Sequence, residues 1–119
     1  MATTSYKELT QSVSRELASL RGSTPDVMKS FSDLGRAATA PGVLDKKTKE
    51  LIALAVAVAT RCEPCIGFHA QALVKLGAVR QEVDEMLGVT TYMGGGPSLM
   101  YAASAVAAFD EFLLLAQSS

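Results

Sequence analysis

Apolar positions recur at three- and four-residue intervals through most of this 119-residue chain, the period of helices with one buried face. Tyr6, Leu9, Val13, Leu17 and Leu20 form one such stripe and predict a first helix from about Tyr6 to Leu20. Arg21-Gly22-Ser23 ends it. Thr24 is placed to cap a second helix, with Pro25 at the first helical position, where a missing N–H costs nothing. Asp26 favours the same helix end electrostatically. Val27, Phe31 and Leu34 are the predicted inner face of this helix.

Ala40-Pro41-Gly42 breaks the pattern, and Asp45 is a candidate cap for a third helix. From Leu51 to Ala59 every residue is apolar, which predicts a helix buried on all sides. Its β-branched residues would also suit a buried strand; length and alanine content favour the helix. Arg61 to Pro64 reads as a turn. A fourth helix starts near Cys62 and stops at Gly77, a residue suited to the position after a helix end. A short fifth helix covers Arg80 to Leu87. Gly94-Gly95-Gly96-Pro97 is a break or sharp kink. Pro97 then opens a last helix to about Ala116, with Leu99, Met100, Ala103, Val106, Phe109 and Leu113 inward. The fold class is therefore all-α: a single compact domain over residues 1–119, with about six helices and a central helical hairpin.

Composition adds one expectation. Hydrophobic residues make up 49% of the chain, and the mean hydropathy is +0.24. A domain this small has much surface for its volume, so some apolar area is expected to be covered by another subunit, and the protein is expected to be a homo-oligomer. The net charge of −1 and the lack of clustered Lys and Arg argue against a nucleic-acid partner. The opening stretch, MATTSYKELTQSVSRELASL, has no basic segment followed by an apolar one, so no secretory signal is expected. Leu51 to Thr60 is too short to span a bilayer. Both readings point to the cytoplasm, with no membrane partner.

Both cysteines, Cys62 and Cys65, and the only histidine, His69, lie within one short segment headed by Glu50. In the cytoplasm a C-x-x-C pair is more often redox-active or metal-binding than a structural staple. At a helix start, backbone N–H groups and the helix dipole favour the thiolate of the first cysteine. Cys65 and His69 are four residues apart, so they share a helix face and the imidazole can take the thiol proton. An ordinary thiol is only about 3% ionised at pH 7, and a pKa near 7 raises that to about half.

Glu50 enters through helix geometry. If the third and fourth helices form an antiparallel hairpin turning at Arg61, Glu50 lies about 16 Å before the turn and His69 about 12 Å after it. The two are nearly level, and Glu50 can orient the imidazole and stabilise its charged form, giving a relay from Glu50 through His69 to Cys65. A helix-start glutamate is more often a solvated dipole partner, and a lone histidine is more often structural. The four side chains are also acceptable zinc ligands in type, and two inert core cysteines are the blandest reading.

At these residues the chain resembles the alkyl hydroperoxidase D-like proteins of the carboxymuconolactone decarboxylase superfamily. The shared pattern is Glu, eleven residues, Cys-x-x-Cys, three residues, His, and it falls on Glu50, Cys62, Cys65 and His69. A looser likeness runs from about Leu44 to Phe112, including the GGGP segment and the Ala-rich helix with Tyr101. The resemblance implies an all-helical fold, assembly as trimers or hexamers, and thiol-dependent reduction of hydroperoxides with no organic or metal cofactor. It implies that Cys65 attacks the peroxide, that Glu50 and His69 serve as proton relay, and that Cys62 resolves to the disulfide. An external dithiol, lipoyl-type or thioredoxin-like, would then restore the thiols. The best-known members carry a duplicated helical unit; this chain has one, so a neighbouring subunit is expected to complete the assembly. The decarboxylase branch lacks the cysteine pair, so lactone decarboxylation is not expected. Two rival readings remain: a redox relay or sensor with little peroxidase turnover, and a non-catalytic metal-binding helical oligomer.

Overall fold

The computed structural model describes residues 5–118; the first four residues of the stretch read for a targeting signal, and Ser119, lie outside them. Among the described residues the secondary structure is entirely helical. The elements are α1 (Tyr6–Ser23), α2 (Pro25–Thr39), α3 (Lys46–Ala59), α4 (Glu63–Lys75), α5 (Arg80–Gly94) and α6 (Gly96–Gln117).

Local chemistry sets these boundaries. The first N–H groups of a helix have no partner within it. At α1, Ser5 Oγ accepts from Glu8 N–H at 3.0 Å. Glu111, far away on α6, accepts from the N–H groups of Tyr6 (2.8 Å) and Lys7 (3.0 Å). At α3, Asp45 accepts from Thr48 N–H at 2.7 Å, as expected of a cap. Thr24 does occupy the cap position of α2, but its side chain makes no capping bond there. Its hydroxyl instead donates back to Leu20 O at 2.9 Å and closes α1.

The α3–α4 connection is a tight reversal. Arg61 N–H donates to Val58 O (3.1 Å) and Cys62 N–H donates to Ala57 O (3.0 Å). That pair of bonds requires a left-handed residue after the helix, and Arg61 supplies it with φ 60°. Gly77 plays the same part after α4, with φ 78° and matching bonds from Gly77 to Val74 O and from Ala78 to Leu73 O. A third reversal falls at Gly95 (φ 76°), which separates α5 from α6 as the glycine run predicts. An added Cβ at the preceding Gly94 would collide with the buried Ser98.

The core is one cluster. Leu54 and Val58 of α3, Ile66 and Leu73 of α4, Val83 of α5 and Phe109 of α6 are the largest fully buried side chains. The Lys47–Glu82 ion pair at 2.7 Å ties the start of α3 to the start of α5. Only the first half of α1 joins the core, through Tyr6 and Thr10. Gly67 of α4 makes that possible: a Cβ there would sit 2.7 Å from Thr10 Cγ2.

Four expectations are corrected. Val27, Phe31 and Leu34 of α2 face solvent, and α2 buries no residue at all; its apolar stripe has no partner within the chain. α3 is not covered on every side, since Ile52 and Val56 are half exposed; α4, α5 and α6 leave its outer face open. α5 continues past Leu87 through Gly88 to Gly94. The buried face of α6 is Ala102, Ala105, Ala108, Phe109 and Phe112, whereas Leu99, Met100 and Ala103 are exposed. Small alanines on that face let α6 approach α4 closely. By length and composition α6 is the one helix among the described residues apolar enough to cross a membrane. In this fold its buried face packs on α4 and α5.

Gly67→Ala is expected to lower stability by about 1–2 kcal/mol in urea unfolding, the overpacking cost exceeding the helix-propensity gain. Adding Thr10→Ser, which removes the colliding methyl, is expected to recover most of that loss.

Candidate active site

The α3–α4 hairpin brings Glu50 and His69 together. Glu50 Oε2 lies 2.6 Å from His69 Nδ1. The carboxylate is buried, while the imidazole side chain is one-third exposed. An ionised carboxylate only accepts, so Nδ1 is the donor in this pair, and in the neutral ring Nε2 keeps its lone pair. Among the described residues Nε2 has no hydrogen-bond partner. Glu50 therefore fixes both the tautomer and the ring orientation, and leaves the basic nitrogen free.

Cys62 is the N-cap of α4, and Pro64 sits in the first turn. Cys65 follows one turn on from Cys62, and His69 one turn further along the same face. Cys62 and Cys65 are joined as a disulfide, with Cα atoms 5.2 Å apart. Cys62 Sγ also accepts from Cys65 N–H at 3.3 Å, so the helix N-terminus acts most directly on this sulfur. Both cysteines are partly exposed. The structure thus joins the four residues singled out in the sequence as two pairs: Glu50 of α3 with His69 of α4, and Cys62 with Cys65 at the start of α4. Among the described residues, no three of His, Cys, Asp and Glu are grouped as a metal ion would require.

Glu63, between the thiols in sequence, has partners that sequence reasoning missed. Its Oε2 accepts from the Tyr6 hydroxyl at 2.7 Å and its Oε1 from the Ser104 hydroxyl at 3.2 Å. α1 and α6 therefore clamp the first turn of α4, and with it the disulfide. No sequence signal marks these pairs, because the partners are far apart in the chain and Tyr6 reads as part of an apolar stripe. Burial, and the hydrogen bond to the Glu63 carboxylate, push the Tyr6 phenol up to about 12.

A raised phenol pKa stabilises the fold below the ordinary tyrosine value, and that contribution is lost as pH rises through the folded value. One of the three tyrosines is thus expected to titrate near pH 12 by phenolate absorbance. The stability that Tyr6 confers is expected to vanish between about pH 10 and 12. Tyr6→Phe is expected to remove the late-titrating signal; its persistence would assign the signal to another tyrosine.

The family model for the carboxymuconolactone decarboxylase family matches residues 25–108, a span that holds Glu50, Cys62, Cys65 and His69. A crystal structure of a carboxymuconolactone decarboxylase family protein from Legionella pneumophila superposes with a TM-score of 0.89 at 56% identity, covering 91% of this chain and 96% of that one. A family protein from Thermotoga maritima, for which involvement in an antioxidative response has been suggested, superposes at 0.81 with 30% identity, covering 92% and 93%. An uncharacterised protein from Cupriavidus necator is 38% identical over 108 residues, 91% of this chain and 96% of its own length. The family model, the shared fold and these relatives agree, and the chain belongs to the carboxymuconolactone decarboxylase family.

Proposed function

We propose that this protein is a dithiol peroxidase, similar to the alkyl hydroperoxidase D-like branch of its family, cycling Cys62 and Cys65 between dithiol and disulfide. The observation that carries the reading is the Glu50–His69 bond at 2.6 Å, one turn from a cysteine pair already joined as a disulfide. An oriented imidazole with a free lone pair beside a reversible dithiol is what proton-coupled thiol chemistry requires. The suggested antioxidative role of the Thermotoga relative supports the same direction.

In the proposed cycle His69 Nε2 takes the proton of the Cys65 thiol. The thiolate attacks one oxygen of the hydroperoxide, the O–O bond breaks, and the alkoxide leaves with the proton returned from His69. Cys65 is now a sulfenic acid. The Cys62 thiol attacks its sulfur, water leaves, and the disulfide forms. The sum is ROOH plus two thiols giving ROH, water and one disulfide. An external dithiol, lipoyl-type or thioredoxin-like, then reduces the disulfide by exchange and is itself oxidised. No further cofactor takes part. The cycle needs a reducing compartment, which fits the cytoplasm, and the protein acts as a homo-oligomer.

One observation favours a second reading. The N–H bond to Cys62 Sγ stabilises charge on Cys62 rather than Cys65. That suits a relay whose Cys62 thiolate exchanges with a partner disulfide and consumes little peroxide. The metal-binding reading has no such support.

With cumene hydroperoxide and a dithiol donor, Cys65→Ser is expected to abolish turnover. His69→Ala is expected to lower it by roughly 100-fold, the low end of general acid–base contributions, and Glu50→Gln by a smaller factor. Turnover unchanged in Cys65→Ser would remove that thiol from the mechanism. Rapid alkylation of Cys62 with slow peroxide consumption would favour the relay.

A further inference from the structure

Two of the apolar surfaces open among the described residues are of comparable length. The first is the outer stripe of α2: Val27, Phe31 and Leu34 are 67%, 71% and 63% exposed and stand one turn apart on one face. Lys29, Asp33 and Arg36 lie on the opposite face and pair among themselves. The stripe can therefore be covered without burying an unpaired charge. The second is a groove of about 530 Å³ between α3 and α5, with Leu51, Ile52 and Val56 on one wall and Met86, Val89 and Met93 on the other. Small residues, Ala55, Ala59 and Gly94, keep it open.

The dimensions agree. Along α3 the groove runs from Thr48 to Ala59, roughly 16 Å of helix, and the α2 stripe from Val27 to Leu34 needs roughly 10 Å. Ile52, Val56, Val89 and Met93 of the groove are themselves at least half exposed. With the three stripe residues they make seven large apolar side chains exposed on each chain. A two-fold dimer that covered stripe and groove on both subunits would bury apolar area of the order a stable interface takes, ~800 Å² per partner.

The chain's own α2 is held away from its own groove. It packs on α1 and the start of α3 with its stripe turned outward. The loop to α3 is short, and Lys49 Nζ fastens it by donating to Ala40 O at 2.7 Å. We propose that the α3–α5 groove receives the α2 stripe of a second copy of this chain, so that each subunit gives one helix and takes one. This names the surface on which the homo-oligomer is built; it does not rest on the peroxidase reading. It also explains why α2 stays helical with no buried residue of its own.

The test is cross-linking in a Cys62→Ser, Cys65→Ser background, so that no outcome depends on peroxide chemistry. Phe31→Cys and Val56→Cys are introduced together and singly, and the proteins are oxidised with copper phenanthroline. The expected result is covalent dimer or larger species on non-reducing gels only when both cysteines are present in one chain. A monomer whose two new thiols have been consumed would mean closure within one chain. Dimers from Phe31→Cys alone would mean that two α2 stripes face each other. Either result, or no cross-link, overturns the proposal. Light scattering on Phe31→Glu and Val56→Glu, each checked for unchanged helicity, is expected to show at least a twofold drop in mass from the wild type. A monomeric wild type, or full mass retained in both variants, would also overturn it.

Discussion

The Glu50–His69 hydrogen bond is the constraint on which the rest of the site depends. It joins two helices that are consecutive in sequence and antiparallel in space, and at 2.6 Å it leaves little freedom in their register. A shift of one residue along either helix would move the groups about 1.5 Å along the axis and about 100° around it, and the bond would be lost. The sharp Arg61 reversal, the buried Leu54 and Val58, and the Asp45 cap all keep α3 in the register the bond needs. A non-glycine residue in the left-handed region is tolerated at Arg61 because two backbone bonds and the packed hairpin hold it there.

The site is supported from a second side. The clamp from Tyr6 and Ser104 to Glu63 fixes the first turn of α4, where Cys62 is the cap and Cys65 one turn on. Glu111 in turn fixes the start of α1, so that Tyr6 itself is anchored. A chain of polar contacts thus runs from α6 through α1 to Glu63, the residue that follows Cys62. One end of the site holds the imidazole and the other holds the sulfurs. Neither cysteine nor His69 lines the groove between α3 and α5 or the one between α1, α4 and α6, and all three are partly exposed.

What could be read from the sequence follows from which forces are local. The approach of Glu50 to His69 was legible because helix rise is constant and a hairpin makes distance along the chain predict height. Asp45 and Gly77 were legible because capping is decided by neighbouring residues. Thr24 misled because its hydroxyl donates backwards to Leu20 O and makes no bond with the N–H groups at the start of α2. The inward face of α6 misled because an alanine-rich helix has no single apolar stripe; which alanines are buried is settled by the close approach to α4. The α2 face misled for another reason: its apolar stripe is real, but it does not face the core of its own chain. The Glu63 clamp was invisible because nothing local links Tyr6 or Ser104 to the thiol turn.

The central claim is that the Cys62–Cys65 pair is a working two-electron couple driven by hydroperoxide and assisted by the Glu50–His69 pair. It is tested most directly by counting free thiols in the fully reduced protein before and after one equivalent of an organic hydroperoxide, with the alcohol product measured alongside. The expected result is a fall from two free thiols per chain to none, with one alcohol formed for each disulfide. Two thiols still free, with the hydroperoxide intact, would contradict it.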